Sequence, residues 1–127
     1  MSRRKNQPED NNRRAKPGLR TKIFVRDDMI GAGKIALLAQ LEVSGSISAA
    51  ARDMDLTYRR AWFLLDTLQR CFKDPLFTTE RGGADAGGAK LTELGRELTN
   101  RHKAHEAKIQ AGAKEFLNWL QTHQKED

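Results

Sequence analysis

Gly45-Ser46-Ile47-Ser48-Ala49-Ala50-Ala51-Arg52-Asp53-Met54-Asp55-Leu56-Thr57-Tyr58-Arg59-Arg60-Ala61-Trp62-Phe63-Leu64-Leu65-Asp66 carries two helix starts in close succession. Ser46 or Ser48 is placed to cap the first helix, which runs to about Met54. Its three consecutive alanines allow a neighbouring helix to approach closely. Leu56 reads as the apolar plug of the turn, and Thr57 as the cap of the next helix. Arginines open that helix, and Ala61, Leu64, Leu65, Leu68 and Phe72 mark its inward stripe. Two short helices wired in this way predict a helix-turn-helix, whose second helix lies in a DNA major groove.

Working outward, Arg20 to Arg26 contains Ile23, Phe24 and Val25 and predicts a short strand, ended by Asp27, Asp28 and Gly31. A helix follows over about Gly33 to Val43, with Ile35, Leu38, Leu41 and Ala39 inward and Gly45 as a left-handed cap. Beyond the second of the paired helices, Asp74-Pro75 breaks the chain. Leu76 to Arg81 and Ala89 to Leu91 then read as the arms of a β-hairpin around the glycine-rich tip Gly82 to Gly88. A hairpin in that place is the wing of a winged helix. Thr92 caps a long last helix reaching about Leu120. Its Leu94, Leu98, His102, His105, Ile109, Ala113, Phe116 and Leu120 follow steps of three and four, close to a heptad seam. The expected fold is therefore mainly α with a small β-hairpin. Residues 1–19 form a basic disordered arm, 20–91 a winged helix-turn-helix domain, and 92–127 a long dimerisation helix with a short tail.

The 127 residues suit one domain, and 38% hydrophobic content permits a modest core. No apolar run approaches the ~20 residues of a membrane span. The N-terminus is charged and lacks the apolar core of a secretory signal. Cys71 is the single cysteine, so no intrachain disulfide forms. A cytoplasmic protein is expected. The net charge of +6 is unevenly placed. Residues 1–20 carry seven basic and two acidic side chains (net +5), residues 21–91 ten and nine (net +1), and residues 92–127 six of each (net 0). A basic arm suits a nucleic-acid binder, because each neutralised phosphate releases counterions. It equally suits a solubilising tail.

Candidate contacts with DNA gather at the N-terminal end of the second paired helix: Thr57, Tyr58, Arg59 and Arg60. Arginine grips guanine through two hydrogen bonds, while Thr57 and Tyr58 can bond phosphate or base. Ser46, Ser48 and Trp62 join this set, although Trp62 and Phe63, beside a buried alanine, also read as packing residues. Arg81 and Lys90 flank the wing tip, where they either reach phosphates or sit by chance on a mobile loop.

Other chemistries fail on spacing. Gly82 and Gly87 have the separation of a phosphate-binding loop, but Gly88 stands where lysine is needed, and Asp85 would repel phosphate. Gly31-Ala32-Gly33-Lys34 fails because Asp28 occupies the first glycine position. His102 and His105, with Glu106 beside them, are one turn apart, yet a metal requires a firm third ligand. A place at a helix seam or in solvent accounts for both. Cys71 reads as a small core residue. No Ser–His–Asp or paired-carboxylate spacing occurs. The expectation is no enzyme, no cofactor and no metal.

The order strand, helix, paired helices, glycine-rich hairpin, long helix resembles the N-terminal DNA-binding domain of the molybdate-responsive (ModE-type) transcriptional regulators. That winged helix is shared with the LysR-type regulators. The resemblance is carried by Gly45-Ser46-Ile47-Ser48-Ala49-Ala50-Ala51, Tyr58-Arg59-Arg60-Ala61-Trp62 and Pro75-Leu76-Phe77. It continues through Arg81-Gly82-Gly83, Gly87-Gly88-Ala89 and Leu91-Thr92 with Gly95, and covers about residues 20 to 120. It implies a homodimer held by the last helix and presenting two winged helices to a palindromic duplex. It further implies major-groove readout by Tyr58, Arg59 and Arg60, with Arg81 and Lys90 serving the wing. Full-length members of that family continue into a molybdate-binding portion, and nothing in this sequence resembles its oxyanion site. The expectation is a homodimeric, sequence-specific regulator of molybdenum-related genes without its own molybdate-binding domain and with no small-molecule effector evident. Two rivals remain. One is an adaptor that pairs with another regulator through the long helix, a reading kept open by Asp53, Asp55, Asp66 and Asp74 near the supposed DNA face. The other is an oxyanion binder using His102 and His105 at the dimer seam.

Overall fold

The structure, a computed structural model, describes residues 16–80 and 87–126. The fold is mainly helical with two small antiparallel sheets. The chain divides into two compact units, residues 21–104 and residues 1–20 with 105–127.

The larger unit opens with β1 (Phe24–Val25) and β2 (Asp28–Met29), paired Phe24 to Met29 and Val25 to Asp28. This corrects the expected single strand. Arg26 takes φ 57°, so the chain reverses over two residues and Asp28 pairs back instead of ending the strand. The left-handed region is uncommon for a residue with a Cβ, and nothing in the sequence announces it here. The Ile30 N–H donates to the Ile23 carbonyl at 2.8 Å, and Ile30 enters the core.

Helix α1 (Ala32–Ser44) buries Ile35, Leu37, Leu38 and Leu41. Leu37 widens the inward arc beyond the expected stripe, because packed elements cover the helix on more than one side. Gly45 ends α1 at φ 86°, its N–H donating to the Leu41 carbonyl at 2.8 Å. Such a left-handed cap is where glycine's freedom is needed.

Helix α2 (Ile47–Asp53) is capped by Ser46, whose hydroxyl accepts from the Ala49 N–H at 3.0 Å. Ser48 is exposed on the first turn instead. Ala50 and Ala51 are buried, and their small size brings α1 and α3 (Tyr58–Gln69) close. Asp55 turns the chain at φ 62°, letting the Leu56 N–H reach the Ala51 carbonyl at 2.8 Å. The Thr57 hydroxyl accepts from the Arg60 N–H at 3.0 Å and starts α3. Ala61, Leu65 and Leu68 are buried there, as the spacing requires, together with Thr67. Phe72 lies past the end of α3 and is half-buried, so it packs on the core edge and not within the helical stripe. Gln69 closes the helix exit by donating to the Asp74 carbonyl at 2.9 Å and accepting from the Leu76 N–H at 2.7 Å.

The second sheet pairs β3 (Phe77–Thr79) with β4 (Ala89–Leu91), Phe77 opposite Leu91 and Thr79 opposite Ala89. The Ala89 N–H also donates to the Gly45 carbonyl at 2.8 Å, and Ser46 bridges Gly88. The hairpin is thereby fixed to the α1–α2 junction.

Helix α4 (Glu93–His123) is 31 residues long. Thr92 caps it by accepting from the Gly95 N–H at 3.1 Å while donating to the Pro75 carbonyl at 2.8 Å. Gly95 is buried because a Cβ there would overlap the Leu76 carbonyl oxygen. Glu42 of α1 accepts from the Leu91 N–H at 3.2 Å and lies 3.5 Å from Arg96. Leu94 and Leu98 pack against the core from outside.

In the smaller unit, Ile109, Ala113, Leu117 and Leu120 of α4 are half-buried. The Gln110 amide donates to the Leu19 carbonyl at 3.2 Å. Of the residues expected at a dimer seam, His105 is exposed and Phe116 is 62% exposed in the single chain. Glu106 is half-buried. Of the expected arm, Lys16 to Leu19 are described; residues 1–15 and residues 82–86 of the expected hairpin tip lie outside the described residues.

Candidate nucleic-acid interface

The first turn of α2, the outer side of α3 and the end of the β3–β4 hairpin enclose an open cleft of about 660 Å³. Four residues singled out from the sequence line it: Ser46, Ser48, Tyr58 and Trp62. Each arrives for a local reason. Ser46 is held by its cap bond and its bridge to Gly88. Ser48 sits on the exposed side of α2. Tyr58 and Trp62 are four residues apart on α3 and so stack on one face.

Arg52, Thr79 and Glu80 also line the cleft, with Ile47 and Gly87, and were not anticipated as site residues. Arg52 stands four residues after Ser48, so projecting α2 as a helix would have found it. Glu80 depends on the hairpin register, in which its N–H donates to the Gly88 carbonyl at 2.8 Å. No sequence motif carries that information.

Arg59 and Arg60 are exposed beside the cleft and do not line it. They are not equivalent. Successive helical residues are rotated by about 100°. Arg59 lies on the outward meridian with Phe63 and Asp66, opposite buried Ala61, Leu65 and Leu68, while Tyr58 and Trp62 lie on the side of α3 that faces the cleft. Arg60 points to the flank, its guanidinium 5.5 Å from the centre of the Phe63 ring. Trp62 is 43% exposed and Phe63 52% exposed, so the packing reading of both rings is corrected. Ala61 faces inward, and the residues beside it are carried round to the open side. Thr57 is exposed, with its oxygen engaged as a cap. Lys90 is exposed between buried Ala89 and Leu91, opposite Thr78. Arg81 lies outside the described residues.

Charges on this side are arranged asymmetrically. Arg52, Arg59 and Arg60 have no carboxylate within 4.0 Å among the described residues, whereas Arg70 is paired with Asp66 at 3.3 Å. Asp53 accepts from the Ser44 hydroxyl at 2.7 Å. Two of the acids near this surface are thus engaged, and three guanidinium groups have no carboxylate partner among the described residues. Such a surface offers donors and flat apolar rings to a polyanion. Glu80 is the acidic exception, at the rim.

Elsewhere, His102 is half-buried and His105 exposed, and no group of three metal-ligating side chains occurs among the described residues. The half-buried Cys71 thiol donates to the Thr67 carbonyl at 3.5 Å. No described helix is long and apolar enough to cross a membrane.

No protein-family model matches the chain. It is 40% identical over 80 residues to the "Molybdenum-pterin-binding protein MopB" of Rhodobacter capsulatus, covering 63% of this chain and 30% of that protein. It is 36% identical over 78 residues to the "Molybdenum transport protein ModE" of Azotobacter vinelandii, covering 61% and 29%. It is 35% identical over 65 residues to the "DNA-binding transcriptional dual regulator ModE" of Escherichia coli, covering 51% and 25%. The chain spans less than a third of the length of each of these relatives. Over the matched segment it is related to the ModE and Mop proteins.

Proposed function

We propose that this chain is a sequence-specific double-stranded DNA-binding transcriptional regulator. In this reading α2 and α3 form a helix-turn-helix, the β3–β4 hairpin is its wing, and α4 is the dimerisation helix. One observation carries the proposal. The N-terminal half of α3 leaves Tyr58, Arg59 and Trp62 exposed, beside an Arg52 guanidinium that has no carboxylate within 4.0 Å among the described residues. Arginine there has the reach and the fork for a guanine edge, at roughly 1–3 kcal/mol of discrimination per good pair. The printed name of the Escherichia coli relative includes DNA binding, which supports the same reading. The names of the relatives point further to genes concerned with molybdenum.

The protein acts as a homodimer on a twofold-symmetric duplex, its two α3 helices about 34 Å apart. Selection of bound duplexes from a random pool tests this directly. Recovery of a palindrome with half-sites one helical turn apart is expected. A pool that never enriches, together with no retention on heparin at low salt, would refute it.

A second reading has its own observation. Phe116 and Trp119 of α4 are exposed and stacked at 6.4 Å, which suits an adaptor that pairs with a different protein. Sedimentation of the purified chain separates the two, since a monomer at micromolar concentration would favour the adaptor. Calorimetry with molybdate tests binding of an oxyanion at His102 and His105.

A further inference from the structure

Tyr58 and Trp62 leave about half of their ring surface uncovered, and both line the same cleft beside the hairpin. Neither ring is needed to complete the core, which Ala61, Leu65 and Leu68 close from the other side of α3. Two exposed aromatic rings at a four-residue spacing form one continuous apolar strip. The strip is bordered by Arg52, which has no carboxylate partner among the described residues, and Arg59 is exposed about 100° further round α3. A duplex groove fits this surround of cations. Within a major groove, the apolar feature presented at base edges is the C5-methyl group of thymine.

We infer that the Tyr58–Trp62 strip reads thymine methyl groups, making Trp62 a specificity-determining residue alongside the arginines. The inference rests on the DNA-binding reading. In it, Arg52 and Arg59 hold the phosphates or guanine edges on either side. The indole lies flat against one thymine of each half-site and excludes water from its methyl. Cytosine at that place lacks the methyl, so the strip loses its apolar partner there. Glu80, which lines the same cleft, discourages a phosphate from sliding into it.

The test uses the full chain and a duplex recovered from random-pool selection. Each thymine is replaced singly by deoxyuridine, which removes the methyl and leaves every hydrogen-bonding group in place. Binding is read by titration at fixed salt. Wild type is expected to lose affinity about four-fold at one thymine of each half-site, the factor corresponding to one buried CH₂-sized group. Trp62→Ala should bind the thymine and deoxyuridine duplexes equally, and Trp62→Phe should keep part of the difference. Trp62 is partly exposed and outside the core, so neither change threatens folding. Enrichment of a duplex that tolerates every thymine-to-deoxyuridine exchange would overturn the inference and leave DNA binding intact. So would an equal drop for Trp62→Ala on both duplexes, which means the ring grips the backbone. Failure to enrich any duplex would remove the DNA reading, and this inference with it.

Discussion

Gly95→Ala should destabilise the larger unit, although helix propensity alone argues for the opposite. Alanine is favoured over glycine inside a helix by roughly 1 kcal/mol. At this site, however, the added Cβ would overlap the Leu76 carbonyl oxygen. It would also stand 3.1 Å from the Leu76 carbonyl carbon and 3.4 Å from the Leu91 Cβ. None of these neighbours is the free end of a flexible side chain. Relief requires α4 to move off the start of β3. That movement strains the bond from the Thr92 N–H to the Leu76 carbonyl at 3.0 Å and the bond from the Thr92 hydroxyl to Pro75 at 2.8 Å. It also uncovers Leu76, which is fully buried. Overpacking of this kind costs about 1–3 kcal/mol, and each weakened hydrogen bond about 0.5–1.5 kcal/mol more. A net loss of about 1–5 kcal/mol follows after the propensity gain is subtracted. In thermal unfolding followed by circular dichroism, that is a fall in Tm of roughly 4–8 °C for each kcal/mol. Gly112→Ala on the same helix is the control, since nothing lies within 4 Å of its Cβ position. It should be neutral or stabilising by up to about 1 kcal/mol. If Gly95→Ala is as stable as wild type, the close approach of α4 to β3 is wrong.

Leu37→Ala should cost about 2–5 kcal/mol by urea denaturation, because Leu37 is fully buried and its removal leaves a cavity. Thr92→Val deletes a cap acceptor and a donor to Pro75 together, and a loss of about 1–2 kcal/mol is expected in the same assay. Arg59→Ala should weaken binding to a selected duplex about ten-fold or more, and Arg60→Ala less, since Arg60 is turned to the flank over Phe63. Gel-shift titrations against selected and scrambled duplexes would rank the two, and equal losses would count against the outward meridian described for α3. Removal of residues 1–18 should lower affinity for all sequences alike and flatten its dependence on salt, and an unchanged salt slope would exclude an electrostatic arm.

Much of this architecture was legible because its signals are local. Gly45, Ser46, Thr57 and Thr92 each do their capping within four residues, and each cap bond or turn is present. The alanines of α2 and the stripe of α3 follow from the helical period alone. The β1–β2 hairpin was not legible, because Arg26 adopts a backbone region for which arginine gives no cue. Leu37 was missed because a helix covered on several sides hides its inward face from a single-stripe reading. The cleft was half legible. Ser46, Ser48, Tyr58 and Trp62 sit on short-range patterns, whereas Glu80 and Thr79 arrive through a hairpin register fixed partly by Gly45 and Ser46. Trp62 shows the limit of neighbour-based reading, since an adjacent buried alanine says the next residue has rotated away from the core.

Thr92 serves two masters with one oxygen. The proton that holds Pro75 and the lone pair that receives Gly95 leave the root of the longest helix no separate way to fray. Breathing of the strand pair and loosening of that first turn become a single event, shared or absent together.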